Sequence, residues 1–261
     1  MRSEDIKRSS QTRIMRALGA DSLVDKMNLL ETQGKGIFQP TATTSALLQQ
    51  ASKLVEKNMS VLDLGCGWGI IGLEIALELK SKIILSMSDL SENAVSAAQR
   101  NAKALGIACT VKLGSLFEPW EGHKFDLIVS DVSGISEQLP FISKWFEDIP
   151  IASGVDGLDL VSTVVINANK HLKNPQSKLV MPLISLSNVA KGERFMETHF
   201  HNINLLSEKA WHLEIDAGYQ MQMDDLKQNG HIDFLKVGNT YEFFTRIYEL
   251  SGPKGKPPLL D

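Results

Sequence analysis

The chain has 261 residues, a net charge of −4 and two cysteines. That length can bury the core of one large domain, or of one domain and a small appendage. The acidic balance sets up no general field for nucleic acid or an anionic membrane. Two cysteines are too few for a disulfide framework or a zinc site of the usual spacing, and no apolar stretch approaches the ~20 residues of a membrane span. The charged start, MRSEDIKRSSQTRIMRAL, lacks the apolar region of a signal peptide. The expectation is a soluble cytoplasmic protein in a reducing compartment, with neither nucleic acid nor membrane as partner.

Residues 3–32 read as helical and locally basic through Arg8, Arg13 and Arg16. Gly34 and Gly36 break the pattern. From there helix candidates alternate with short apolar runs: helix over 46–56, strand over 60–64, helix over 70–79, strand over 82–88, and helix over 92–105 closed by Gly106. Strands are predicted over 110–113 and 125–130, a helix over 156–171 capped by Asp156 with Asp159 in its capping box, and a strand over 178–184. This alternation predicts a parallel sheet. The end of the chain differs. Residues 202–215 and 241–250 read as two long strands, an antiparallel edge pair. Between them lies an insertion with a short helix, and residues 253–258 read as a mobile tail.

The chemistry concentrates in Val61-Leu62-Asp63-Leu64-Gly65-Cys66-Gly67-Trp68-Gly69. A strand runs into three alternating glycines and then into a helix, at the end of the sheet where α/β folds bind ligands. Asp89, at the end of the next strand, is placed to accept the hydroxyls of a ribose. A dinucleotide fold would show G-x-G-x-x-G facing a pyrophosphate. Here an acid, Asp63, precedes the first glycine. It would repel a pyrophosphate but suits a ligand bearing an amine, and S-adenosylmethionine has an amine, a sulfonium and no phosphate. A nicotinamide-dependent oxidoreductase is disfavoured on the same spacing. His199 and His201 form an H-x-H without an evident third ligand, so no metal site is expected.

VLDLGCGWG resembles the first motif of the class I S-adenosylmethionine-dependent methyltransferases, and SDLSENAVSAAQRNAKALG resembles their second. The stretch over residues 37–185, with GSLFEPWEGHKFDLIVSD and IASGVDGLDLV, is similar to the release-factor and ribosomal-protein glutamine methyltransferases. The resemblance implies an α/β, Rossmann-like seven-stranded sheet with antiparallel C-terminal edge strands. It also implies a helical N-terminal cap over 1–35 and a methyltransferase domain over 36–261. It places Asp63, Gly65, Cys66, Gly67 and Gly69 at the methionine part of S-adenosylmethionine, and Asp89 at the ribose. Leu90, Ser115 and Leu116 fall at the adenine, with serine where the family has an acid. Phe38 and Thr41 belong to a segment that closes over the cofactor. After the fourth strand that family carries N-P-P-Y, whose ring stacks on a flat amide or base. Here the place reads Asp131-Val132-Ser133-Gly134. Asp131 is the candidate catalytic and cofactor-side residue, able to orient and deprotonate a nucleophile. Without the prolines and the ring, glutamine or nucleobase methylation is not carried over. The expected reaction is methyl transfer to a nitrogen or oxygen of a small molecule or protein side chain. The alternative is a non-catalytic S-adenosylmethionine-binding protein or the partner subunit of a methyltransferase. The sequence leaves the oligomeric state open, a homodimer included.

Overall fold

A computed structural model describes residue 23 and residues 30–139, 152–238 and 240–255. The chain divides between Asp131 and Val132 into two units. In the first, four parallel strands lie in the order β3-β2-β1-β4: β1 Ser60–Leu64, β2 Ile84–Asp89, β3 Cys109–Leu113 and β4 Leu127–Ser130. β1 and β4 are almost wholly buried and correspondingly apolar, as parallel strands covered on both faces must be. β3, at the edge, is half-exposed. Helix α1 spans Ala42–Ala51, α2 Ile70–Glu78 and α3 Glu92–Leu105. α3 is closed at both ends by the sequence itself. Ser91 accepts from the Ala94 N–H, and Gly106 turns the chain in the left-handed conformation.

The first helix of the sheet begins four residues before its predicted start. Thr41 caps it, and Thr44 closes a reciprocal capping box, a threonine variant of the usual S/T-x-x-E/Q signature. Residues 30–32 carry no helix, contrary to the helical reading of 3–32. Leu23 is helical, and the rest of that reading lies outside the described residues.

The second unit holds α4 Asp159–His171, β5 Lys178–Ile184, α5 Val189–His199, β6 Phe200–Glu214, α6 Gln220–Gln228, β7 Leu235–Val237 and β8 Thr240–Pro253. Its strands are antiparallel in the order β5-β8-β6, with β7 also on β8. The expected edge pair is present. Among the described residues β7 makes eight strands where seven were expected. α5 carries no strong apolar signal, because only Val189, Gly192, Met196 and His199 are buried on it. The tail reading needs correction at its start: β8 continues to Pro253, opposite Phe200, a place at a strand end where the missing N–H costs little. Residues 256–258 lie outside the described ones. The insertion after β6 is packed down. Met223 and Leu226 of α6, with Ile232 and Phe234, join Tyr241 and Phe243 of β8 and Ile135 and Leu139 in one buried cluster. Among the described residues, no helix is long and apolar enough to cross a membrane.

Asp156 is not the cap of α4. The helix starts at Asp159, after Leu158, with no side-chain cap. Asp156 instead accepts from the Leu158 N–H at 3.2 Å and pairs with Lys191 at 2.6 Å. The turn itself explains the GVDG spelling. Gly157 sits at φ +74°, and a Cβ there would lie 2.6 Å from the Ser187 Cβ and 2.8 Å from the backbone of Ile135 and Ser136. Gly157→Ala is therefore expected to cost about 2–3 kcal/mol, from a left-handed alanine plus overpacking against backbone. Urea unfolding measures it; an unchanged midpoint would remove the steric account.

Candidate active site

Every predicted site residue lies in the first unit, and the carboxyl ends of β1, β2 and β4 assemble most of them. The loop after β1 is pinned to β2 by one acceptor: the Ser88 carbonyl takes the N–H groups of Gly65 at 2.9 Å and Cys66 at 3.0 Å. Ser88 is held in turn from its side chain, where Oγ accepts Trp120 Nε1 at 2.8 Å. Gly65, Gly67 and Gly69 all have positive φ. At Gly67 a Cβ would meet nothing nearer than the Phe38 carbonyl oxygen, 3.9 Å away. The loop thus leaves a shallow cradle, with Phe38 on its far side.

Three carboxylates stand around that cradle, and their partners differ. Asp89 ends β2. Its Oδ2 accepts the Gly67 N–H and its Oδ1 the Ser91 N–H, both at 2.9 Å. A carboxylate offers about four acceptor positions, so capacity remains for ligand hydroxyls. Leu90 beside it is 61% exposed, an apolar surface next to the carboxylate. Asp63 is 1% exposed. Gly69 caps α2 without a side chain to accept its free N–H groups, and Asp63 Oδ2 does so instead, from Gly72 at 2.9 Å. Among the described residues its buried Oδ1 has no hydrogen-bond partner. Asp131 follows β4, and Thr44 Oγ1 donates to its Oδ2 at 2.7 Å.

Burial raises the cost of ionising all three acids, and at Asp63 the other two add to it. Burial, then the nearby charges of Asp131 and Asp89, push Asp63 up to about 7 against the Gly72 hydrogen bond. Burial pushes Asp131 up to about 6, opposed by the Thr44 hydrogen bond. Asp89 is raised by burial, with the N–H groups of Ser91, Gly67 and Leu90 pulling it back. Burial, with Asp63 and Asp89, also raises the Cys66 thiol, which leaves it inert as a nucleophile. Among the described residues no Lys or Arg pairs with any of the three acids.

The segment before α1 spans all three strand ends. The Lys35 carbonyl accepts Asn93 Nδ2 at 2.9 Å beyond β2. A Cβ on Gly36 would sit 3.0 Å from Ser91 Oγ. Phe38 faces the Gly67 cradle, and Thr41 and Thr44 lead to Asp131. Ser115 and Leu116 follow β3, whose last residue pairs with Asp89. The Gly114 N–H donates to the Asp89 carbonyl at 3.1 Å. Leu116 has φ 44°, a left-handed backbone that costs an L residue roughly 1–2 kcal/mol. Where the family's acid is missing, Glu118 turns back so that its Oε2 accepts the Ser115 N–H at 3.3 Å. Two residues of this neighbourhood were not foreseen. Thr44 is one. Asn101 is the other: it is fully buried, accepts the Glu31 N–H at 2.7 Å, and donates to the carbonyls of Glu31 and Trp68 at 2.9 and 3.0 Å. It joins the segment entering the unit to the glycine loop.

Residues 36–133 match the family model of the methyltransferase small domain. Over 152 residues the chain is 31% identical to the release factor glutamine methyltransferase of Geobacter sulfurreducens, covering 56% of this chain and 53% of that protein. It is also 31% identical over 119 residues to the ribosomal protein uL3 glutamine methyltransferase of Francisella tularensis, covering 43% and 38%. The chain spans about half the length of the curated relatives it matches first. The structure of the ribosomal protein L11 methylase of Lactobacillus delbrueckii subsp. bulgaricus superposes with a TM-score of 0.50 at 16% identity, over 83% of this chain and 82% of that one. That likeness is one of fold. Residues 36–133 thus carry the methyltransferase small domain.

Proposed function

We propose that this chain, whose residues 36–133 carry the methyltransferase small domain, is a class I methyltransferase that binds S-adenosylmethionine and transfers its methyl group to a nitrogen or oxygen nucleophile, with a protein side chain as the favoured acceptor. The observation that carries the reading is the set of three acids of raised pKa around a glycine cradle, with no Lys or Arg among the described residues paired to them. Uncompensated buried charge is costly. A ligand bearing an ammonium and a sulfonium supplies the missing positive charge, whereas a pyrophosphate would add to the repulsion.

The residues fit that ligand part by part. Asp63 Oδ1 is a buried acceptor without a donor, and it supplies negative charge beneath the cradle. Gly67 opens the backbone toward the ligand. Asp89 retains acceptor capacity for ribose hydroxyls, and Leu90 and Leu116 offer apolar surface for a base. When bound, S-adenosylmethionine supplies an electrophilic methyl group. Asp131 then holds the nucleophile by a hydrogen bond and takes the proton it releases, a role suited to a carboxylate raised to about 6. The relatives' names speak of glutamine on proteins, which supports a protein side-chain nitrogen. Val132, Ser133 and Gly134 carry no ring to stack on a planar amide, so the reading stops at the class of acceptor.

Calorimetric titration with S-adenosylmethionine tests the cofactor. Asp89→Ala is expected to weaken binding at least tenfold, or by ~1.4 kcal/mol. Absence of binding by the intact chain would overturn the reading.

A further inference from the structure

We propose that Thr44 is a positioning residue, which fixes Asp131 so that one carboxylate oxygen is occupied and the other accepts the proton of the methyl acceptor. The assignment rests on the reading of Asp131 given above, and on the arithmetic of a single hydroxyl. Thr44 Oγ1 accepts the Thr41 N–H at 3.2 Å and lies 2.7 Å from Asp131 Oδ2. A hydroxyl has one proton and two lone pairs. Thr41 uses a lone pair, so the proton goes to Asp131. Oδ2 is therefore an acceptor in this arrangement. Among the described residues no donor reaches Oδ1, which leaves it for the substrate.

Burial makes the contact effective. Thr44 is 3% exposed, so water cannot readily replace its hydroxyl. A hydrogen bond to the ionised form of a carboxylate favours that form. Asp63 is the charged group set against Asp131 from β1, and Asp89 stands on β2. Burial opposes ionisation of Asp131, and the Thr44 hydrogen bond is what favours it. The same hydroxyl belongs to the cap of α1, at the end of the segment that passes Ser91 and Gly67. Displacing that segment would free Thr44 to rotate and leave Asp131 more readily protonated. Asp131 is thereby set as a proton acceptor only while residues 36–41 lie across the strand ends.

The test is the titration of the Asp131 carboxyl carbon by NMR in protein without S-adenosylmethionine, assigned with Asp131→Asn. Thr44→Val is expected to raise the midpoint by roughly one pH unit, and Thr44→Ser to return it to within a few tenths. Thr41→Ala removes the other half of the cap, the Thr43 N–H bond, and is expected to leave the midpoint near wild type. A residue that merely stabilised α1 would lower the melting temperature in all three without moving the titration. An unmoved midpoint in Thr44→Val would overturn the assignment. Should Thr44→Val not fold, Thr44→Cys, a near-isostere with a weaker donor, must shift the midpoint in the same direction. The titration uses no cofactor, so its failure is distinct from failure of the S-adenosylmethionine reading, which the calorimetry decides.

Discussion

Asp131→Asn is expected to reduce methyl transfer by roughly 10²–10⁴-fold at saturating S-adenosylmethionine, the range for removing a general base. The substitution is nearly isosteric. The asparagine oxygen can still accept from Thr44, so the loop after β4 and the cap of α1 should keep their places. What is lost is a site for the acceptor's proton and one negative charge. Loss of the charge should also weaken cofactor binding modestly, by roughly fivefold for a charge at the edge of the site, which is why the comparison belongs at saturation. The assay is transfer of tritiated methyl groups into a cell lysate, with label in protein separated from label in small molecules. Equal labelling by variant and wild type would exclude Asp131 as the proton acceptor. Cofactor binding without transfer by the wild-type chain would instead favour the non-catalytic alternative. Label confined to small molecules would move the acceptor away from protein.

The frame of this site was legible because its signals are local. β1, α3 and β5 have the boundaries read from the sequence: an apolar run ending in glycine, Ser91 and Gly106 as caps, and a second buried apolar run. Asp89 ends β2, as its distance from the glycine loop required. The misses have physical reasons. The start of α1 was hidden because Thr43 and Thr44 have low helix propensity and the cap needs a threonine in place of glutamate. α5 buries a helically spaced stripe, but Gly192 and His199 fill half of it, so its apolar content is too low to mark it. The Asp156 cap failed because Lys191 and Leu158 claim both of its oxygens. Asp63 was read as a partner for a ligand amine. Half of its carboxylate is committed to Gly72, a contact visible only once α2 is placed over β1. Thr44 and Asn101 could not be found at all from spacing, since their partners are tens of residues away in the chain.

Asp63→Asn is expected to invert the protein's stability relative to wild type across the pH range. In the folded, ligand-free chain Asp63 is raised to about 7 from an ordinary 3.8, so the folded state binds its proton more tightly than the unfolded one. The stability this group contributes is fully present below about pH 4 and is lost as pH rises toward 7. Above pH 7 the loss is complete and on the order of 4 kcal/mol, three units at 1.36 kcal/mol each. Asparagine has no such pH dependence. It can keep the acceptor for the Gly72 N–H, but it puts an amide group where Oδ1 has no partner, a fixed cost of about 1–3 kcal/mol. At pH 4 the fixed cost dominates and the variant should melt below wild type. At pH 8 the ionisation cost of the aspartate dominates and the variant should melt above it. Adding S-adenosylmethionine should reverse the order at pH 8, because the bound cation stabilises an ionised Asp63 and the asparagine gains little. Wild-type affinity should likewise weaken as pH falls below 7 and Asp63, then Asp131, take up protons. Melting curves at pH 4 and pH 8, with and without the cofactor, are sufficient. Parallel profiles for the two proteins would mean that Asp63 stays ionised without a ligand, and that the instability of the free site is not what favours a cationic cofactor.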